Sequence, residues 1–486
     1  MHNFFYFIHL GITICGIIFI FHLAKKQKLP QDISPGRSIP IWAFLCAVPA
    51  LFLLEFISFK ATWPPAAGWD YLNAYYLAGR AVLEKPAGLH SLLEKGTIGF
   101  VNIPIVAYAF APFALIPART SAIVFALFGF LSVVSAWYFL ARLANLELRE
   151  RWLLAFLFLV NGPLISGIKY GNLSYFILAA MAGGLWLLRS DRPGLAGVLL
   201  GVATVIKPPL ALFGFFFLFR REWRGLAGYT ATGLATILLS LLVFGWSDNF
   251  YWFETSIVQY SHTWLDAFNV QSITAFIQRL TDGAGLREWQ IATSPTTNEK
   301  LAAQFISVLL LLVGGAACLK PRFPKVEASV RLKAERQDLQ FLLVICLCLV
   351  SSPLAWTHYY LWLLMPIAFF LSWGARGLPR WAFWTGWVAI IMVSPIAGNA
   401  WSLSNEMLMA LYRVTVVSHY LIGGLLIFVL AGWRLASTGG LLPLIRGPNS
   451  QPQAMGVPKD ATLARFEIES GPAEATKRAL PVPGDR

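Results

Sequence analysis

The chain has 486 residues, of which 57% are hydrophobic and 13% are charged, and its mean hydropathy is +0.63. Soluble domains carry roughly 25% charged residues, so this composition excludes an ordinary soluble protein and predicts an integral membrane protein. The formal net charge of +14 is no evidence for nucleic-acid binding until the positions of the lysines and arginines are considered.

Thirteen apolar segments predict membrane-spanning helices, because a span needs about 20 apolar residues, and fewer where a helix is broken or shielded by protein. These segments are residues 4–23, 39–59, 118–141, 152–167, 173–188, 193–206, 208–219, 225–246, 302–319, 338–352, 358–373, 380–397 and 411–433. Pro208 and Pro209 leave open whether residues 193–219 form two spans or one bent unit. The sequence therefore predicts an all-α polytopic membrane protein with about 11–13 transmembrane helices.

The lysines and arginines predict the orientation of these spans. If the loop after the first span is cytoplasmic, the inside loops hold 22 of these cations and the longer outside segments hold 11. Cytoplasmic loops are enriched in positive residues, so we expect the N-terminus outside and the C-terminus in the cytoplasm. Lys25 and Lys26 follow the first apolar segment, whereas a signal peptide begins with positive charge, so this segment is expected to remain as a span. The distribution explains much of the net charge without a nucleic-acid partner.

Two long loops are expected on the outer face, at about residues 60–117 and 247–301. Residues 1–445 are expected to form one polytopic membrane domain. Residues 446–486 are rich in Pro, Gly, Ala and charge and lack hydrophobic periodicity, which predicts a disordered cytoplasmic tail.

The first outer loop contains an isolated carboxylate, Asp70, among aromatic residues and directly before an expected amphipathic surface helix at 71–84. A lone charge near hydrocarbon costs free energy, which makes such a residue a functional candidate. A structural pairing with a cation such as Arg80 is the alternative. We interpret Asp70 as a catalytic base that faces the non-cytoplasmic side.

Three further polar clusters reach the same expected face. They contain Asn172 in a tight turn, Lys207 before two prolines, and His358 beside Trp356 in a stretch broken by proline. The structural alternatives are a turn residue, a lysine that snorkels to the interface, and residues of an interfacial aromatic belt. A lysine held at the end of a short span also suits phosphate binding. The convergence of distant parts of the chain at one depth favours a common site, and His262 in the second outer loop is a further candidate.

Several other kinds of site lack their motifs in this sequence. The chain has no GxxxxGK[ST] phosphate loop, no HExxH motif and no cysteine–histidine cluster. We therefore predict neither a metal nor a cofactor. The five cysteines lie in apolar segments and are interpreted as small buried hydrophobic residues.

The order of the polar clusters resembles that of glycosyltransferase family 87 in the GT-C superfamily, which includes bacterial α-mannosyltransferases that use polyprenyl-phosphate-mannose. The matching residues are Asp70 with Tyr71, Tyr75 and Ala78-Gly79, then Pro104, Tyr108 and Pro112, then Gly171-Asn172, Lys207-Pro208, and Ser352-Pro353 with Trp356 and His358-Tyr359. The resemblance covers roughly residues 60–375. The family often has Gln-x-Asn at the turn where this chain has Tyr170-Gly171-Asn172, so the role of that glutamine does not carry over.

The resemblance implies a GT-C-type helix bundle with a large first extracytoplasmic loop and an aspartate general base within that loop. Asp70 would deprotonate the acceptor hydroxyl while the anomeric carbon gains oxocarbenium character. Lys207, together with His358 as a second catalytic residue, would stabilise the lipid phosphate that leaves. A single displacement would invert the anomeric centre. The residues expected to bind substrate are Trp69, Tyr75, Asn172, Trp356 and His262.

The predicted function is a membrane glycosyltransferase that acts at the outer, periplasmic face of the inner membrane. The donor is expected to be a polyprenyl phosphate that carries mannose or a related hexose, with a pentose such as arabinose left open. The acceptor is expected to be a glycolipid or another glycan, with a protein as a further possibility. The alternative is a secondary transporter or lipid flippase, although such proteins place polar groups at mid-membrane, often between repeats, and none is evident here. A purely structural scaffold would leave the convergence of polar clusters unexplained.

Overall fold

The computed structural model describes residues 2–26, 68–96, 99–262, 264–265, 267–281, 295–318, 330–375, 378–397 and 405–438. Within these ranges the chain is helical, with an isolated antiparallel bridge between Val270 and Trp356 and no β-strand. The predicted fold class, an all-α polytopic membrane protein, is confirmed. The expected span at 39–59 and the expected tail at 446–486 lie outside the described residues.

The α-helices of at least seven residues are numbered in chain order within those ranges. Helices α1 to α8 are His2–Lys26, Leu77–Glu84, Ala118–Leu143, Leu148–Leu159, Gly162–Tyr170, Ser174–Arg189, Pro193–Ile206 and Leu212–Arg220. Helices α9 to α16 are Trp223–Trp252, Ile273–Thr281, Thr297–Cys318, Val330–Val350, Leu364–Ala375, Arg380–Val393, Glu406–Tyr412 and His419–Thr438. Helices α3, α9, α11 and α16 are long and apolar enough to cross a membrane, and the bent pair of α4 and α5 makes a fifth candidate if counted as one span. Most of the other expected spans form helices that are too short to cross a membrane alone. Such helices occur in membrane proteins where neighbouring protein shields them.

The expected span at 152–167 is broken into α4 and α5, whose axes differ by 48°. The break falls at Asn161, followed by Gly162 and Pro163, because proline has no N–H for the preceding turn and disfavours helical geometry in the residue before it. The Asn161 side chain caps α5 by accepting a hydrogen bond from the N–H of Leu164 at 2.9 Å. This break directs α5 towards the turn at 171–173.

Residues 193–219 form two helices, which resolves the question that the sequence left open. Helix α7 ends at Ile206, a 3₁₀ turn covers Pro208–Ala211, and α8 begins at Leu212. Lys207 lies between them with non-helical backbone angles, and its carbonyl accepts a hydrogen bond from Leu210 at 3.0 Å. The two prolines thus hold Lys207 at a fixed junction between two short apolar helices.

Helices α7 and α9 pack closely through small residues. A Cβ added to Gly197 would lie 2.0 Å from the carbonyl oxygen of Gly225, and one added to Gly228 would lie 2.3 Å from that of Gly194. Glycines at these positions let the two backbones approach, as is common between membrane helices.

Helix α9 is kinked at Gly245, where φ is 69° and ψ is −175°. The side chain of Asn249 spans the kink by donating to the carbonyl oxygens of Gly245 at 2.7 Å and Ser240 at 3.0 Å. Beyond the kink the helix continues through a π-helical turn, Phe253–Gln259, whose residues Ser256 and Ile257 line the cavity described below.

The segment before α3 contains the helix expected at 71–84, formed by a π-helical turn, Tyr71–Tyr76, and α2. Its inner face is buried through Tyr71, Tyr75 and Ala78, whereas Arg80 is exposed. This helix therefore packs against the bundle and carries Asp70 at its start.

Candidate active site

A cavity of about 680 Å³ brings together side chains from distant parts of the chain. Its wall includes the polar side chains of Asp70, Asn172, Lys207, Asn269 and His358. Ligand pockets usually enclose roughly 300–1,000 Å³, so this cavity is large enough for a sugar and its attached groups. The convergence predicted from the sequence is present in the structure.

The turn that ends α5 positions one side of the cavity. Gly171 has a left-handed conformation with φ of 67°, its N–H donates to Ile168 at 3.0 Å, and the N–H of Asn172 donates to Gly167 at 2.8 Å. This pair of bonds is a Schellman helix end, in which glycine is favoured because its φ is positive. The chain therefore leaves α5 sharply, and Asn172 enters the cavity wall.

The same turn holds the segment around Asp70. The N–H of Gly68 donates to the carbonyl oxygen of Lys169 at 2.6 Å. A Cβ added to Gly171 would lie only 2.7 Å from the Cβ of Tyr71, so the two segments touch at a position where only glycine fits. Asp70 is thus fixed by contacts with α5 as well as by its own helix.

Asn172 is the direct hydrogen-bond partner of Asp70. Its Nδ2 donates to Oδ2 of Asp70 at 2.6 Å. On the other side of the amide, Asn172 Oδ1 accepts from the backbone N–H of Ser174 at 3.1 Å and from its hydroxyl at 2.8 Å. The candidate that the sequence assigned to substrate binding therefore contacts the predicted base.

The pKa of Asp70 is raised above the usual carboxyl value, and burial is the largest cause. The hydrogen bond from Asn172 and the positive charge of Lys207 lower this pKa and so oppose the effect of burial. A carboxylate with a raised pKa is a better proton acceptor than an ordinary one while it stays ionised. Perturbed titratable groups in a cavity are typical of functional sites.

Lys207 presents a buried cation to the cavity, with only 6% of the residue exposed. Its Nζ lies 4.7 Å from the centre of the Tyr359 ring, and this ammonium group makes no hydrogen bond or ion pair with the residues that the structure describes. A buried ammonium is costly unless an anion or a π-system compensates it. The site is therefore suited to an anionic ligand.

The cavity wall also contains Trp356 and His358, whose rings are nearly parallel with centres 6.4 Å apart. The N–H of Thr357 donates to Asn269 at 2.8 Å, and the N–H of Gln271 donates to the carbonyl oxygen of Ala355 at 2.6 Å. These bonds join the second long loop to the stretch that carries the two aromatic rings.

The other residues predicted to bind substrate occupy different positions. Trp69 and Tyr75 line the cavity; Trp69 is exposed, and Tyr75 is buried with its ring stacked on Phe110 at 4.8 Å. His262 is exposed and is not among the lining residues. The structure therefore brings together all the predicted site residues except His262.

The cavity wall also contains residues that were not assigned to the site from the sequence, including Asn102, Asn269 and Tyr359. Asn102 is almost fully buried, and its Nδ2 donates to the carbonyl oxygen of Ile206 at 2.8 Å, next to Lys207. The only signal for Asn102 in the sequence is a polar residue before an apolar run. No group of three or more potential metal ligands occurs within the described part of the chain.

Comparison with known proteins gives a family and several curated relatives. Residues 100–334 match the model of glycosyltransferase family 87. The chain is 26% identical over 390 residues to the polyprenol-phosphate-mannose-dependent α-(1-2)-phosphatidylinositol pentamannoside mannosyltransferase of Mycolicibacterium smegmatis, covering 77% of this chain and 87% of that protein. It is also 26% identical to the Mycobacterium tuberculosis protein of the same description, over 73% of this chain and 78% of that protein.

A third relative, the polyprenol-phosphate-mannose-dependent α-(1-2)-phosphatidylinositol mannoside mannosyltransferase of Mycolicibacterium smegmatis, is 27% identical over 60% of this chain and 67% of its own length. These similarities favour the predicted enzyme over the transporter or flippase that was the alternative. The resemblance predicted from the motifs is confirmed: residues 100–334 match the model of glycosyltransferase family 87, and the chain is a membrane glycosyltransferase.

Proposed function

We propose that this enzyme transfers mannose from a polyprenyl-phosphate-mannose donor to a phosphatidylinositol mannoside or a similar glycolipid acceptor. The printed names of three relatives support the donor, the sugar and the acceptor class. The observation that carries the proposal is a cavity that holds a carboxylate, Asp70, and a buried cation, Lys207, together.

In the proposed reaction, Asp70 removes the proton from the acceptor hydroxyl. The hydroxyl oxygen then forms a bond to the anomeric carbon as the bond from that carbon to the phosphate oxygen breaks. The polyprenyl phosphate leaves with the electron pair of the broken bond. Because the reaction is a single displacement, it inverts the configuration of the anomeric centre.

The departing phosphate is already a stable anion, so it needs electrostatic stabilisation and no proton. The ammonium of Lys207 faces the cavity and lacks a partner for its charge within hydrogen-bond distance among the described residues. We assign the phosphate to Lys207, with His358 on the same cavity wall as the second group near it. The aromatic rings of Trp69, Tyr75 and Trp356 are assigned to sugar and lipid contacts.

The reaction is proposed to occur on the outer face of the membrane, with the protein in the inner membrane. The positive-inside distribution of lysine and arginine supports this orientation. The same orientation places the N-terminus outside, the C-terminus in the cytoplasm, and Asp70 in an extracytoplasmic loop.

The direct test is transfer of radiolabelled mannose by the purified full-length protein in detergent. Polyprenyl-phosphate-mannose is supplied as donor, and phosphatidylinositol mannosides of defined size as acceptors. We expect labelled glycolipid one mannose larger than the acceptor, with α linkage if the donor is β-linked. Transfer from a polyprenyl-phosphate pentose alone would replace mannose in the proposal, and saturable vesicle uptake without transfer would contradict an enzymatic role.

A further inference from the structure

The amide of Asn172 has one orientation that satisfies all its neighbours. Ser174 offers two donors to it, a backbone N–H and a hydroxyl, and both contact the same atom, Asn172 Oδ1. If the amide were flipped, its NH₂ group would face these two donors and its oxygen would face the carboxylate of Asp70. The flipped form would lose the hydrogen bond to Asp70 and the one from the N–H of Ser174, and buried polar groups without a partner are destabilising.

Ser174 is itself held in place. It is the first residue of α6, it is fully buried, and its carbonyl oxygen accepts a hydrogen bond from the indole N–H of Trp362 at 3.0 Å. Asn172 is 4% exposed and lies on the turn fixed by Gly171. The Nδ2 donor of Asn172 is therefore preorganised, because the turn at Gly171 fixes Asn172 and the contacts of α6 fix Ser174.

We propose that Asn172 and Ser174 are positioning residues that orient the catalytic carboxylate and stabilise its ionised form. Asn172 Nδ2 donates a hydrogen bond to Oδ2 of Asp70, whereas Oδ1 of Asp70 makes no hydrogen bond with the described residues. Oδ1 of Asp70 is then the oxygen that accepts the proton of the acceptor hydroxyl. This inference rests on the proposed function, because Asn172 and Ser174 can position the base only if Asp70 is that base.

The test is the pH dependence of kcat/KM for mannose transfer by the Asn172→Asp variant, which is nearly isosteric. The two donors of Ser174 would favour ionisation of the new carboxylate at position 172, and two carboxylates at 2.6 Å cannot both be ionised easily. Asp70 would then keep the shared proton to higher pH. We expect the acidic limb of the profile to move up by about one pH unit or more, with activity recovered at high pH.

Ser174→Ala is the second variant and is expected to move the acidic limb in the same direction by less, because one of the two bonds that orient Asn172 is lost. Ser174→Thr, which keeps the hydroxyl, should restore the wild-type limb. Ser394→Ala is the matched control, since the hydroxyl of Ser394 is also buried but donates to the carbonyl oxygen of Ile390 in the preceding helix, α14.

An acidic limb that stays at the wild-type pH in both Asn172→Asp and Ser174→Ala would overturn the positioning role. A uniform loss of rate at all pH values would also overturn it, because that result indicates a purely structural effect. Wild-type protein that transfers no mannose at all would instead contradict the proposed function, so the two failures are distinguishable.

Discussion

Asp70 and Lys207 carry opposite charges in one cavity, and their protonation determines the expected pH behaviour. As the proposed general base, Asp70 must be ionised, so we expect the transfer rate to fall when the pH drops through its pKa. Burial raises that pKa, whereas the charge of Lys207 lowers it. The acidic limb of the rate profile is therefore expected above the usual carboxyl range. The same raised pKa means that ionisation of Asp70 opposes folding as the pH rises through it, which is the pattern of a functional group kept at a cost in stability.

Lys207→Gln is expected to reduce kcat/KM for mannose transfer by about 100-fold or more, since a preorganised charge on the leaving group contributes about this much. It should also move the acidic limb to higher pH, because the positive charge no longer favours ionised Asp70. Steady-state transfer assays over a pH series measure both effects. Lys85→Gln, at an exposed lysine outside the cavity wall, is the control. If Lys207→Gln had the same kcat/KM and the same acidic limb as wild type, the assignment of Lys207 to the phosphate site would be wrong.

Individual site residues were predictable where a polar group interrupts apolar sequence. Asp70, Lys207 and His358 stand out for that reason, and the cavity contains all three. The contact between Asn172 and Asp70 joins residues 102 positions apart, so no local pattern could reveal it. His262 has the same residue type as His358, but its place in the fold leaves it exposed. Residue type alone does not separate the two.

The turn after α5 is the local element on which the site depends most directly. Gly171→Ala places a Cβ 2.7 Å from that of Tyr71 and imposes a left-handed conformation on alanine, which costs about 1–2 kcal/mol before the clash is counted. We expect a lower unfolding temperature and loss of mannose transfer, since Asn172 and the segment of Asp70 move together. Differential scanning fluorimetry and the transfer assay measure these effects.

Gly233→Ala in α9 is the control for that substitution, because no atom lies within 4 Å of the added Cβ. The control should keep both stability and activity. If Gly171→Ala behaved like Gly233→Ala, the close contact between the turn and Tyr71 would have no role in the site.

Helix positions followed well from apolar runs, whereas helix breaks followed only in part. Pro208 and Pro209 marked the junction at Lys207. The expected span 225–246 ended beside Gly245, but the helix continues beyond the kink because Asn249 satisfies the backbone there. A glycine in an apolar run does not show whether a helix stops or bends, since the outcome depends on the hydrogen bonds that later residues supply.

At the end of the bundle that holds the start of α12, charged side chains connect several helices. Arg189 of α6 donates from Nε to Oδ1 of Asp338 at 3.0 Å and makes a second bond to the same carboxylate. Arg434 of α16 contacts Glu335 at 2.8 Å, and Arg220 of α8 contacts Gln337 at 2.8 Å. Arginines from three helices, each expected on the cytoplasmic side, thus contact polar side chains of α12.

Asp338→Asn is expected to destabilise the whole bundle by about 1–3 kcal/mol, because it leaves the partly buried Arg189 without a carboxylate partner. The measurement is the unfolding temperature of the purified protein in detergent, with residual mannose transfer at low temperature. Glu84→Gln, in the exposed Arg80–Glu84 pair, is the control and should leave the unfolding temperature unchanged. An unchanged unfolding temperature in Asp338→Asn would show that this ion pair does not stabilise the bundle.

For the whole molecule, composition and periodicity were sufficient to predict an all-α polytopic membrane protein. The number of membrane-spanning helices was harder to predict, because only four helices in the described part of the chain, or five with the bent pair, are both long and apolar enough to cross a membrane alone. Short apolar helices such as α7 and α8 depend on neighbours for shielding, and these neighbours are set by tertiary packing. Sequence length thresholds do not contain that information.

The most direct test of the proposed mechanism compares wild type and Asp70→Asn in transfer of radiolabelled mannose from polyprenyl-phosphate-mannose. The substitution keeps the size of the side chain and a hydrogen-bond acceptor for Asn172, but it removes the base. Matched unfolding temperatures and gel-filtration profiles would establish that both proteins are folded. We predict transfer by wild type and a loss of at least about 100-fold in Asp70→Asn. Equal transfer by the two folded proteins would contradict Asp70 as the general base.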